Sequence, residues 1–170
     1  FRNTKKGKPM ILYHGSLEIV EKPEIRQSNR KLDYGDGFYT TSSYKQALAW
    51  VKRRLLEEKR SIGFVNLYHF EEEKLPNFNS LIFDEPTEEW VDFVMKNRMQ
   101  IDFTHKYDIV YGPVANDKVY ASFALYEGGI ISKQMLIAEL KTYNLVDQYL
   151  FHTEHALSEL KFLEVKEVKL

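Results

Sequence analysis

Cysteine is absent from the 170 residues, which excludes disulfides, thiolate nucleophiles and cysteine-based zinc sites. That absence fits a reducing compartment, and a cytoplasmic location is the expectation. Charge of one sign is missing too: 24 Lys and Arg stand against 25 Asp and Glu, so no global field draws the protein toward nucleic acid or membrane. No apolar run approaches the roughly 20 residues a membrane helix needs. Phe1-Arg2-Asn3-Thr4-Lys5-Lys6 lacks the apolar core of a signal peptide, and the missing initiator methionine reads as a processed, trimmed or excised chain. There is no repeat, no low-complexity linker and no break in composition. Residues 1–170 are therefore expected to form a single domain, with residues 1–8 a flexible extension, and 44% apolar residues suffice for a sizeable core.

The pattern along the chain alternates short apolar runs with helical periodicity. Met10 to Tyr13, bounded by Pro9 and Gly15, reads as a buried strand that presents His14 at its end. Ser43 is placed to cap a helix from about Tyr44 to Lys59, in which Ala47, Trp50, Val51 and Leu55 recur on one face behind a Phe38-Tyr39 strand. Phe64 to Phe70 and Phe78 to Phe83 read as strands, and Thr87 caps a helix carrying Trp90, Val91 and Val94. Tyr107 to Tyr111 is a strand that Gly112-Pro113 should stop, with a helix from Asn116 or Asp117 to about Tyr126, ended by Gly128-Gly129. Ser132 opens a helix with Met135, Leu136 and Leu140. Gln148 to Phe151 is a core strand, Glu154 to Leu160 a last short helix, and Phe162 to Val168 a last strand. Strands interleaved with helices in this way mean α+β, with mixed or mainly antiparallel sheets.

Two segments carry chemistry. Leu12-Tyr13-His14-Gly15-Ser16 ends an apolar strand on a histidine and a glycine, and Tyr34-Gly35-Asp36-Gly37-Phe38-Tyr39-Thr40-Thr41 opens a second strand with aromatics behind a glycine-hinged loop. A lone histidine after a strand is usually a surface or satisfied core residue. Here Gly15 lets a ligand approach the main chain, Ser16 adds a hydroxyl for a phosphate or ribose, and Gly37 allows the loop to fold over a ligand. Tyr39 beside Phe38 would ordinarily be core, but Thr40-Thr41 continue with polar side chains. Together these residues supply a polar hook and a flat stacking surface.

Their order and local sequence resemble the NAD-binding half of the ADP-ribosyltransferase superfamily, in its histidine-tyrosine branch of diphtheria-toxin-like enzymes and poly-ADP-ribose polymerases. The resemblance implies split mixed or antiparallel sheets with flanking helices. It implies NAD as co-substrate, with His14 on a ribose hydroxyl, the Gly15 main chain on the carboxamide, and Tyr39 stacked on nicotinamide. Gly37, Phe38 and Thr40 would flank the dinucleotide with Ser16. The branch's late glutamate matches Gln148, in Asp147-Gln148-Tyr149-Leu150-Phe151-His152, which is able to orient a ribose but has no charge and cannot act as a base. The expected activity is mono-ADP-ribosyl transfer to a protein or nucleic-acid acceptor. A bacterial toxin or effector role, with an antitoxin partner, is implied by resemblance alone. The alternative is a non-catalytic module that binds NAD, ADP-ribose or nucleic acid on the same fold.

Other acids compete for the role Gln148 cannot fill. Asp117 sits at a helix start, where capping alone explains a carboxylate. Asp33 and Asp36 flank the glycine loop and fit turn-shaping roles, and Glu154 fits a helix start. His152 and His155 have metal-like spacing but no third ligand, so no metal is expected. Gly35-Asp36-Gly37 is not followed by Gly-Lys-Ser/Thr, which excludes a Walker loop. No Gly-x-Ser-x-Gly elbow is present. Lys52-Arg53-Arg54 with Glu57-Glu58 reads as a solvated helix face with salt-bridge spacing.

Overall fold

The computed structural model describes residues 9–27, 32–114 and 117–170, with the side chains of residues 117 and 118 left aside. The expected extension at residues 1–8, and Asn116 as a helix start, lie outside the described residues.

Two sheets form the centre of the molecule. The first has the order β1-β3-β7 and is antiparallel throughout, built from β1 (Met10–Ser16), β3 (Ile62–Phe70) and β7 (Lys161–Lys169). The second has the order β2-β6-β5-β4, from β2 (Phe38–Thr40), β6 (Asp147–Phe151), β5 (Ile109–Pro113) and β4 (Ser80–Ile82), and is mixed because β4 runs parallel to β5. Five helices flank them: α1 (Tyr44–Glu57), α2 (Glu88–Met99), α3 (Asp117–Glu127), α4 (Lys133–Leu140) and α5 (Glu154–Leu157). The α+β class holds.

Period-2 alternation sorts the side chains into layers. Leu12, Tyr68 and Phe70 from the first sheet meet Phe38, Ile109, Tyr111, Tyr149 and Phe151 from the second, sealing the space between the sheets. On the other side of the second sheet, Val110 and Leu150 pack under Trp90, Val94, Val119, Phe123 and Leu136 of the helices. Behind the first sheet, Val65, Leu67 and Val168 receive Ala47, Val51 and Leu55 of α1. The order is helix, sheet, sheet, helices.

Helix starts follow the local chemistry. Ser43, Thr87 and Ser132 each accept a backbone N–H three residues on, as their positions predict, and Thr153 does the same ahead of α5, where Glu154 is the expected start. Three expectations need correction. Helix α1 packs behind the first sheet, against β1, β3 and β7, rather than behind the β2 strand, and Trp50 does not share the buried face of Ala47, Val51 and Leu55 but is 37% exposed. β5 does not stop before Gly112-Pro113 but runs through Pro113, which pairs with Asp147. The parallel neighbour β4 ends at Ile82, opposite Tyr111, so the proline falls where one flank has no strand to receive an N–H. The last helix ends at Leu157 rather than Leu160, and Leu160 turns into the core as loop. A 3-10 turn over Glu72–Asn77, holding Pro76, had no periodic signal because it is too short to show one.

A backbone bridge links the two sheets. Tyr13 and Thr41 form an isolated bridge, with N–H to carbonyl distances of 2.8 and 2.9 Å in the two directions. This joins the middle of β1 to the end of β2 and brings His14 beside Tyr39.

Candidate active site around His14, Tyr39 and Gln148

A cavity of about 500 Å³ opens where the two sheets meet, with α1 along one wall. That volume lies within the ordinary range of ligand sites. His14, Gly15, Gly37, Tyr39, Thr40 and Gln148 all line it, so residues far apart in sequence converge. Ser16 and Phe38 are not in the lining. The Ser16 hydroxyl accepts the N–H of Glu18 at 3.1 Å in a local turn, and Phe38 is buried between the sheets. Phe38 supports the site from behind, its ring stacked on His14 with centroids 4.1 Å apart.

The His14 tautomer follows from its partner. Nδ1 lies 2.6 Å from the carbonyl oxygen of Tyr39, which can only accept, so Nδ1 carries the proton and Nε2 is left as an acceptor. Burial pushes the imidazole down to about 4, against the pull of the Tyr39 carbonyl and helped by Arg26, so the ring is neutral at physiological pH. A neutral imidazole with an acceptor nitrogen suits a hydroxyl donor such as a ribose. Gly15 has a second reason to lack a side chain: a Cβ there would lie 2.8 Å from the Ala47 carbonyl and from Val51 Cγ2. Only glycine lets α1 pack this closely on β1.

Tyr39 is anchored at both ends. Its hydroxyl accepts the N–H of Tyr34 at 3.0 Å and donates to the Gly35 carbonyl at 2.6 Å, closing the loop ahead of β2 onto its own ring. Gly37 makes that closure possible with φ of 149°, and a Cβ would lie 2.5 Å from the Phe151 carbonyl. Tyr34, fully buried, donates its hydroxyl to the Pro113 carbonyl and accepts from Trp90 Nε1, both at 2.8 Å. Outside the cavity, His105 Nε2 contacts the Tyr34 carbonyl at 2.7 Å and His152 Nδ1 contacts the Asp36 carbonyl at 2.5 Å. The two imidazoles lie 4.1 Å apart. The loop is held at four places.

Gln148 is 7% exposed and lies in the cavity, on the core strand expected for it. Its Nε2 donates a long bond of 3.4 Å to the Pro113 carbonyl, and the side chain also acts on Tyr34 and Asp33. Asp147, its neighbour, is committed to structure: its carboxylate accepts from Ser42 N at 2.9 Å, Ser42 Oγ at 2.6 Å and Thr41 Oγ1 at 3.4 Å.

Sequence reasoning passed over several of the lining residues. Asp33, whose place beside the glycine loop predicts a turn-shaping role, is 8% exposed and lines the cavity. Burial pushes its carboxyl above the usual range, Arg98 and Gln148 oppose that, and Glu127 reinforces it. Arg98 comes from the end of α2, with its guanidinium over the rings of Tyr120 and Phe123 at 5.4 and 5.6 Å. Its Nη1 lies 3.9 Å from Asp33 and is buried with no hydrogen-bond partner among the described residues. Trp50 and Arg53 of α1 also line the cavity. Arg53 belongs to the charge run expected to form a solvated helix face, and its neighbour Arg54, mostly buried, pairs with Glu58 at 2.9 Å. Adjacency of Asp33 to the glycine loop was the one available signal; Arg98 had none.

The remaining candidates are elsewhere. Asp36 and Glu154 are not in the lining, and the side chain of Asp117 lies outside the described residues. His155 packs on Phe78 at 4.8 Å, away from the partners of His152. Among the described residues no group of three or more His, Asp or Glu is arranged to hold a metal, and no helix is long and apolar enough to cross a membrane.

No curated protein and no solved structure matches the chain. One family model matches residues 10–162, a span that contains His14, Asp33, Tyr39, Arg98 and Gln148. The chain therefore belongs to the family described as protein of unknown function (DUF3990).

Proposed function

We propose that this protein is an NAD-dependent mono-ADP-ribosyltransferase on an ADP-ribosyltransferase-like fold, cleaving the bond between nicotinamide and ribose. The observation that carries the reading is the convergence of His14, Tyr39 and Gln148 on one cavity from β1, β2 and β6. The residues present fit a dinucleotide. His14 Nε2 is an acceptor for a ribose hydroxyl, the Tyr39 ring is fixed by its own hydroxyl for stacking, and Nη1 of Arg98 is a buried donor with no hydrogen-bond acceptor among the described residues. Bound NAD would supply a C–N bond whose cleavage develops positive charge on the sugar. The chain's part is to orient the ribose through His14 and Gln148, hold the departing ring against Tyr39, and exclude water with the Trp50 wall of α1. Transfer to a protein or nucleic-acid acceptor, and a toxin role paired with an antitoxin, belong to the same reading.

Neutral Gln148 favours a second reading, a module that binds NAD or ADP-ribose without turnover. Nicotinamide release by the purified protein separates the two. Slow release with NAD and water alone is the expected result. A melting point raised by NAD with no release would support the binding module, and no response of either kind would remove both.

A further inference from the structure

Among the described residues two carboxylates line the cavity, and one of them is committed to structure. Asp147 is taken up by Ser42 and Thr41, with three hydrogen bonds on its two oxygens. Asp33 has the charge that position 148 lacks, and it lies with Gln148 in the same lining. We propose that Asp33 is the catalytic carboxylate of this site, an inference that rests on the NAD-cleaving reading.

The competing explanation is an ion pair with Arg98 that only fixes the loop. Geometry weighs against it. A carboxylate used to hold a guanidinium closes to a charge-assisted hydrogen bond of about 2.7–2.9 Å, whereas Arg98 Nη1 stops 3.9 Å from Asp33 and makes no hydrogen bond among the described residues. Stacking on Tyr120 and Phe123 holds the guanidinium in place instead. Arg98 is thus close enough to favour a charged Asp33 but not bonded tightly enough to occupy it. The backbone around Asp33 is rigid, since Tyr34 is anchored through its hydroxyl to Pro113 and Trp90 and through its carbonyl to His105. A carboxylate on a fixed backbone, low in exposure and loosely paired, is arranged for proton transfer.

In the step assigned to it, the oxygen of a hydroxyl nucleophile, or of water when no acceptor is present, bonds to C1′ of the nicotinamide ribose. The C1′–N bond breaks with its electron pair kept by nicotinamide, which leaves neutral. The proton of the nucleophile passes to the Asp33 carboxylate and from there to solvent. Among the described residues the charged and titratable groups facing Asp33 are Arg98 from α2, Glu127 from α3, and Tyr34 and Tyr39 from its own loop and β2.

The test compares wild type, Asp33→Asn and Asp33→Glu, with NAD as the probe, reading NAD affinity by calorimetry and nicotinamide release across pH 4 to 9. Asp33→Asn is expected to bind NAD within about 3-fold of wild type while release falls on the order of 100-fold or more, the usual worth of a positioned base. Wild type should lose release on the acid side, and this limb should shift in Asp33→Glu. An active wild type with Asp33→Asn releasing nicotinamide at a similar rate overturns Asp33 and leaves the NAD-cleaving reading standing. A wild type that binds NAD without release, or does neither, overturns the reading and Asp33 with it. Should Asp33→Asn fail to melt cooperatively, the limb decides: an acid limb unmoved in Asp33→Glu overturns the assignment.

Discussion

At the scale of single residues, the two side chains that define the site are constrained by opposite kinds of bond. His14 gives its proton to a main-chain carbonyl and keeps Nε2 as an acceptor, so its contribution to a ligand is one hydrogen bond from a neutral ring. His14→Ala should weaken NAD binding by about 1 kcal/mol, roughly 5-fold, and more if the ribose hydroxyl stays buried without a partner. Calorimetry and turnover check this; both unchanged would remove His14 from the site. Tyr39 is different, because a flat ring alone would make Tyr39→Phe harmless. The hydroxyl here serves both the Tyr34 N–H and the Gly35 carbonyl. Tyr39→Phe leaves those groups without their partner and should cost about 1–3 kcal/mol in urea denaturation while the ring still supports NAD binding. A urea midpoint equal to wild type would show that the hydroxyl does not hold the loop.

At the scale of elements, the loop between Leu32 and β2 is the frame on which Asp33 and Tyr39 are hung, and two histidines from distant segments clasp it. His105 Nδ1 accepts the Tyr107 N–H at 3.1 Å, so Nε2 carries the proton given to the Tyr34 carbonyl. Burial pushes this ring down to about 4, and His152 beside it adds to the effect. His105→Ala removes both bonds and should speed hydrogen exchange at Tyr34 and the following loop amides, while α1, packed on the other sheet, keeps its protection. Equal exchange in the loop would mean that Tyr34 and Tyr39 hold it unaided. Gly37 is the hinge of this frame, and its φ of 149° explains why the sequence has glycine there rather than another turn former.

Over the whole molecule, buried imidazoles tie stability to pH. His14 and His105 both have folded values near 4 against an ordinary 6.5. Above pH 6.5 neither protonates in either state and their contribution is complete. As pH falls from 6.5 to 4 the unfolded chain takes up protons that the folded one refuses, so stability drops, by up to about 3 kcal/mol for each ring. Asp33 runs the other way: its raised folded value means the folded state gains relative stability as the carboxyl protonates. The net expectation is a falling urea midpoint between pH 6.5 and 4. A midpoint that stays level across that window would show that the two rings are not buried neutral.

Element types and most boundaries were legible because they depend on neighbours in sequence. Starts at Ser43, Thr87 and Ser132, apolar periodicity in α1, and alternation in β3, β5 and β6 are local signals, and they determined the α+β class. The chain also specified His14, Tyr39 and Gln148 as separate candidates, through glycines and aromatics beside them. What no local pattern contains is distance between segments. The bridge from Tyr13 to Thr41, the burial of Gln148, and the arrival of Arg98 beside Asp33 depend on two sheets and three helices closing on one cavity. The role open to Asp33 was decided there, since a carboxylate's chemistry depends on its solvation and its partners, and both come from residues tens of positions away.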